Sequence, residues 1–391
     1  MFTTTWTASP QLPSTGFTPN WSQEGFWRQS LRQVVRLGAG GDRVRIRLSN
    51  AYGTSPLRIA GATLARTARG AAVRPDSVRR LTFAGAASAE VPARGEIIGD
   101  AAELALESGE SVTVTLHLDA VTGPATFHAQ AFTTSYRGAG DLLEDTGGEA
   151  FDEVSESWYF LSGVDVSAGR ADAVALFGDS ITDGFGSTPG ANRRWSDALA
   201  ERTGRPVLNA GIGGNLLLND SAWYGEKGVR RVERDVFALA GVDTLVVLLG
   251  LNDIGFSETD EQPTYRPAPL VEVGELVAGH RELIRQARER GVRAVGATLL
   301  PFGGSDHWGE RAAKVSHEVN EWIRCSGEYD AVVDLHRALG EPDSPDVLRG
   351  AYDFGDHLHP NDAGYVVMAE AVAAVLTGPE GAGPCLRAGL G

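Results

Sequence analysis

Hydrophobic and polar positions follow two different rhythms along this chain. From Leu31 to Tyr136 apolar residues fall in short runs broken by Gly and Pro, among them LRQVVRL, DRVRIRLSN, LRIAGATLA, SVRRLTF, SVTVTLHLD and ATFHAQAFTTSY. Alternation is plainest at Val44-Arg45-Ile46-Arg47-Leu48, where apolar and basic side chains take opposite faces of a strand. GAGGD at 38–42 reads as a hairpin connection and SNAYGTSP as a longer loop. No helical period interrupts this half, so it predicts an antiparallel β-sandwich with the arginines on a solvated face.

Beyond Asp165 the rhythm changes. Val174–Phe177, Pro206–Asn209, Thr244–Leu249, Val292–Thr298 and Ala331–Leu335 are apolar, β-branched runs. Helical patterns lie between and after them, at Gly228–Ala240, Val271–Arg290, Glu310–Arg324 and Asn361–Leu376. Strands alternating with amphipathic helices predict a parallel sheet covered on both faces. The expected layout is residues 1–150 as a sandwich, 151–170 as a linker or last sandwich strand, and 171–391 as an α/β domain.

Composition narrows the function more than the fold. The chain has 391 residues, 42% hydrophobic and 22% charged, enough to bury two cores. Its formal net charge of −16, with no basic block, argues against nucleic acid as a partner. Cys325 and Cys385 are the two cysteines, too few for a disulfide framework or a zinc ribbon. The start, MFTTTWTASPQLPSTG, carries no basic segment followed by an apolar one, and no run of about 18 apolar residues occurs. The sequence as written therefore predicts a cytoplasmic protein without a transmembrane segment, or a secreted one if it is a trimmed mature form. Oligomeric state is not legible.

In open parallel sheets ligands bind beyond the carboxyl ends of the strands, and those ends carry unusual residues here. The first strand runs into Gly178-Asp179-Ser180-Ile181-Thr182-Asp183-Gly184, and the second into Ala210-Gly211-Ile212-Gly213-Gly214-Asn215. The third runs into Gly250-Leu251-Asn252-Asp253, and Asp356-His357-Leu358-His359-Pro360 precedes the last helix. Singly, each has a structural explanation, such as Ser180-x-x-Asp183 as a helix capping box. Jointly, at one sheet edge, they point to a site.

These blocks resemble the SGNH branch of the GDSL esterases and lipases, matched in order by GDS at 178–180, GGN at 213–215, GLND at 250–253 and DxxHP at 356–360. The second block departs from the commoner Gly-Asp by having Gly-Asn. The resemblance implies a flavodoxin-like α/β/α hydrolase with a five-stranded parallel sheet. The N-terminal half then resembles the jelly-roll-like sandwich that some actinobacterial members carry. It also implies Ser180 as nucleophile, His359 as base, Asp356 as its orienting carboxylate, and an oxyanion hole from the Ser180 and Gly214 N–H groups and the Asn252 amide. A serine hydroxyl needs an adjacent base, and an imidazole needs a partner fixing its tautomer, so the chemistry suits those residue types. Asp179 and Asp253 read as structural acceptors.

Competing readings stand beside this one. His357 is the decoy for His359; the resemblance and the proline that follows favour His359. Asp353, Asp356, His357 and His359 offer zinc or manganese ligands, but without a metal-binding spacing. Trp195 and Trp308 line either a substrate pocket or the core; His117, His128, His280, His307, His317 and His336 read as surface or packed residues. The glycine clusters complete no G-x-G-x-x-G, so neither an organic cofactor nor a metal is expected. The expected partner is a small-molecule ester: a short acyl ester, an acetylated sugar or a metabolite. Acyl transfer to an alcohol, or non-catalytic carbohydrate binding by the sandwich, are the alternatives.

Overall fold

The computed structural model describes residues 1–167, 171–259 and 262–378. Cys385, and with it the cysteine pair, lies outside them.

Two antiparallel sheets form the first half. One has the order Thr3–Thr7, Leu161–Val166, Gly41–Ser49, Ala102–Leu106, with Glu96–Ile98 also pairing on Gly41–Ser49. The other runs Glu153–Ser155, Ser135–Ala139, Gln29–Arg36, Ser111–Leu118, Gly61–Arg69. Alternation sets the faces. Val44, Ile46 and Leu48 are at most 1% exposed and pack with Leu31, Val35, Val114 and Leu116 in one core. The arginines between them are half-buried rather than freely solvated, because the adjoining strand supplies a partner: Arg45 Nε donates to Asp165 Oδ2 at 2.9 Å.

The structure corrects several local expectations. GAGGD is not a hairpin: Gln29–Arg36 and Gly41–Ser49 lie in different sheets, and Gly38 N–H donates to Thr5 O at 2.9 Å as the chain crosses. Alternation reports which residues face the core, not which sheet a strand joins. SVRRLTF yields only Arg79–Arg80, and ATFHAQAFTTSY only Phe127–His128 and the start of Ser135–Ala139. Thr3–Thr7 is a strand that the patterning did not announce.

The second half is a parallel sheet in the order Val207–Gly211, Ala173–Gly178, Val242–Leu248, Arg293–Ala297, Ala331–Val333. In chain order that is 2-1-3-4-5, the flavodoxin-like arrangement, whose switch point lies beside the first strand. Ala173–Gly178 is buried along its whole length, as a strand covered on both faces must be. Helices Val273–Glu289, Glu310–Cys325 and Asp362–Thr377 cover it, near the expected bounds. Gly228–Ala240 divides into a short α-helix, Gly228–Val232, and a π-turn, Glu233–Phe237. Trp195–Thr203 is a further helix, started by Asp197, whose carboxylate accepts from Arg194 N–H at 3.2 Å. No helix among the described residues is long and apolar enough to cross a membrane.

Candidate active site

Ser180 opens a one-turn helix, Ser180–Asp183, directly after the strand Ala173–Gly178. Asp179 caps that turn, its side chain accepting from Ile181 N–H at 3.1 Å. Burial pushes the Asp179 carboxyl up to about 7. The turn is tight against the sheet: a Cβ at Gly178 would lie 2.1 Å from Thr182 Oγ1.

Across the sheet edge, Ser180 Oγ lies 2.8 Å from His359 Nε2. His359 Nδ1 lies 2.7 Å from Asp356 Oδ2, while Asp356 Oδ1 accepts the N–H groups of Leu358 (3.0 Å) and His359 (2.9 Å). One carboxylate thereby fixes both the ring and the loop that carries it. Burial pushes the Asp356 carboxyl upward, but the His359 hydrogen bond, its charge and the two amides outweigh this and hold it down at about 2. Asp356 is therefore an acceptor at neutral pH, and Nδ1 of His359 carries hydrogen, leaving Nε2 to face Ser180.

His357 takes no part. It sits at φ 61°, is more than half exposed, and its ring binds Asp353 Oδ2 at 2.7 Å. The four residues considered as metal ligands are thus divided into two separate His–Asp pairs. Among the described residues, ligand atoms within 4.8 Å of one another are found in His317, His336 and Asp346, where His317 already hydrogen-bonds Asp346 at 2.6 Å.

Ser180, Gly214 and Asn252 line one cavity of about 550 Å³ together with Asp356 and His359. Gly214 has φ +73°, and a Cβ there would lie 2.4 Å from Tyr224 Cδ1, so only glycine presents its backbone this way. Asn252 Nδ2 donates to Asn215 O at 3.0 Å, and its Oδ1 faces His307 Nε2 at 3.1 Å. Asp253 braces the preceding loop by accepting from Leu217 (2.7 Å) and Leu218 (3.0 Å) N–H, its carboxyl pushed up to about 7 by burial.

Several residues of the site were not legible in the sequence. Arg231 is fully buried and ties the strand ends together. It donates to Gly178 O (2.7 Å), Ala210 O (2.8 Å) and Asn215 Oδ1 (2.8 Å), and pairs with buried Asp235 at 3.0 Å. The sandwich also reaches the site. Gly16, Phe17 and Gln130 line the cavity. His128 Nε2 lies 3.0 Å from Asp183 Oδ1, whose other oxygen accepts from Gly213 N–H at 3.0 Å, next to Gly214. Burial lowers the basicity of His128, but Asp183 outweighs it and the imidazole is raised. Neither Trp195 nor Trp308 lines the cavity: Trp195 is fully buried in the core, and Trp308 packs edge-on against Phe302.

A parallel α/β sheet with hydroxyl, imidazole and carboxylate aligned at its carboxyl edge has the layout of a serine hydrolase. The family comparison agrees: residues 176–367 match the GDSL-like lipase/acylhydrolase family. Residues 176–367 are thus a GDSL-like lipase/acylhydrolase domain, and the protein is a carboxylic ester hydrolase acting on small-molecule esters.

Solved structures similar to it include three at low identity. An inhibitor-bound aryl esterase from M. smegmatis is 16% identical, with TM-score 0.40, over 52% of this chain and 96% of that one. A G-D-S-L family lipolytic protein from Desulfitobacterium hafniense is 18% identical, with TM-score 0.39, over 51% and 97%. The acetylxylan esterase from Geobacillus stearothermophilus is 20% identical, with TM-score 0.38, over 54% and 96%. No curated protein matches the chain.

Proposed function

We propose that the chain hydrolyses carboxylic esters through a Ser180-His359-Asp356 triad and an acyl-enzyme. His359 takes the Ser180 proton as Oγ attacks the ester carbonyl; the carbonyl π electrons move to oxygen. That oxyanion is held by the Ser180 and Gly214 N–H groups and the Asn252 amide. Collapse expels the alcohol, which takes the proton from His359. Water, deprotonated in turn by His359, then attacks the acyl carbonyl, and collapse releases the acid as His359 returns the proton to Ser180 Oγ. Asp356 stays ionised throughout and stabilises the imidazolium.

The observation that carries this reading is the unbroken hydrogen-bonded row from Asp356 to Ser180, opening on the cavity that Gly214 and Asn252 also line. Six aromatic side chains line that cavity (Phe17, Phe185, Trp223, Tyr224, Phe256, Tyr265), which suits a compact acyl or aryl ester better than a long extended chain. The test is turnover of p-nitrophenyl esters from acetyl to dodecanoyl by the wild type and Ser180→Ala. Turnover should be highest for short acyl groups and absent in the variant; equal rates for the two proteins would refute the triad.

A further inference from the structure

We propose that His307, held as an imidazolium by Asp306, is a positioning residue that orients and polarises the Asn252 amide in the oxyanion hole. This rests on the reading of Asn252 as an oxyanion donor.

The protonation follows from hydrogen-bond accounting. His307 Nδ1 lies 2.6 Å from Asp306 Oδ1, an ionised carboxylate that can only accept, so Nδ1 carries hydrogen. Against the cost of burial, the His307 hydrogen bond holds Asp306 below the usual carboxylate range. Nε2 lies 3.1 Å from Asn252 Oδ1. The sense of that amide is fixed at its other end, where Nδ2 donates to Asn215 O at 3.0 Å; a flipped amide would set two oxygens against each other. Asn215 cannot yield, because its own side chain donates to Tyr224 O (2.7 Å) and Glu226 O (2.9 Å) and accepts from Arg231. Nε2 therefore faces an acceptor and must also donate. A ring donating from both nitrogens is a cation.

The setting is built for that ring. His307 is 1% exposed and lies edge-on to the stacked pair Phe256 and Tyr265, whose centroids are each 5.6 Å away. Gly255 makes the room: a Cβ there would lie 2.2 Å from His307 Cδ2. Asp306 faces the ring directly, Tyr265 donates to Asp306 at 3.4 Å, and from across the cavity His359 acts on Asp306 and Asp356 on Tyr265. A cation on the carbonyl end of an amide draws electrons from its nitrogen and strengthens the N–H it offers to an oxyanion, as linked hydrogen bonds polarise one another. It also stops the amide from turning over.

Two measurements on the full chain test this. Nitrogen NMR of the ¹⁵N-histidine-labelled wild type at pH 7 should show both His307 ring nitrogens protonated, with Asp306→Asn shifting the ring toward a neutral tautomer. A neutral ring in the wild type would overturn the proposal, and this readout does not depend on any variant folding. Kinetically, His307→Leu should lower kcat about tenfold or more with KM little changed, yet cost less than about twofold in an Asn252→Ala background. Losses that multiply would assign His307 a merely structural role and refute the proposal. Ser180→Ala keeps the two readings apart. If it is inactive while Asn252→Ala matches the wild type, the triad stands and the Asn252 role falls, taking this inference with it.

Discussion

Arg231→Met tests how the active-site loops are held. The guanidinium and its partner Asp235 are both fully buried, so removing one strands the other's charge away from water. Breaking such a pair costs about 3–5 kcal/mol. Two features set where in that range the loss falls. Asp235 keeps Arg234, whose Nε donates to it at 2.7 Å, and Gly178 O keeps the N–H of Ile212 at 3.2 Å. Both pull the cost down, while Asn215 Oδ1 and Ala210 O lose a buried donor, which pulls it up. We expect about 4 kcal/mol, a large part of the roughly 5–15 kcal/mol that stabilises a typical domain.

The assay is urea unfolding followed by circular dichroism, comparing midpoints at unchanged slope. The double variant Arg231→Met/Asp235→Leu removes both charges and should recover more than half of the loss, since replacing a whole buried pair by apolar residues is close to neutral. Arg231→Met should also lower kcat, because the guanidinium positions Asn215 and, through it, Asn252. A loss under about 1 kcal/mol, or a double variant no better than the single, would refute the reasoning.

Other expectations follow from the same geometry. Gly214→Ala places a side chain at φ +73° against Tyr224, so kcat should fall at least about tenfold while unfolding shifts by only about 1–3 kcal/mol; an unchanged kcat would exclude the Gly214 N–H from the oxyanion site. His280 is buried, its Nδ1 2.7 Å from Tyr329 Oη, and burial pushes it down to about 4. Its proton is then bound more tightly by the unfolded chain. The stability it confers is therefore complete above pH ~6.5 and lost as pH falls toward 4, by up to about 3 kcal/mol. Urea midpoints from pH 7 to 4.5 should fall more steeply for the wild type than for His280→Gln, and parallel curves would contradict the assignment. Phe17→Ala should raise KM for aryl esters with kcat within about twofold, since Phe17 lines the cavity and stacks on Tyr224 but supplies neither a triad group nor an oxyanion donor; an unchanged KM would remove Phe17 from substrate binding.

Most of the architecture was readable in the order of residues. The change from two-residue alternation to apolar strands spaced by helices marks where one sheet type gives way to the other. The strand-end blocks name Ser180, Gly214, Asn252, Asp356 and His359, because backbone direction in a parallel sheet puts all carboxyl ends on one edge. His359 is preferred to His357 on the block pattern and the proline that follows it, not on any alternation along the loop.

What the sequence concealed is of one kind: contacts between segments that share no local pattern. Nothing near residue 231 announces that an arginine will satisfy carbonyls of two strands, and Phe17, His128 and Gln130 look like ordinary sandwich residues until that half is docked on the other. His307 follows a strand by several residues and has no motif around it; its meaning comes only from the oxygen of Asn252 on one side and Asp306 on the other. Periodicity records which face of an element turns inward. Which polar groups then meet in the interior is decided by packing, because a buried charge or amide must find its partners wherever in the chain they happen to lie.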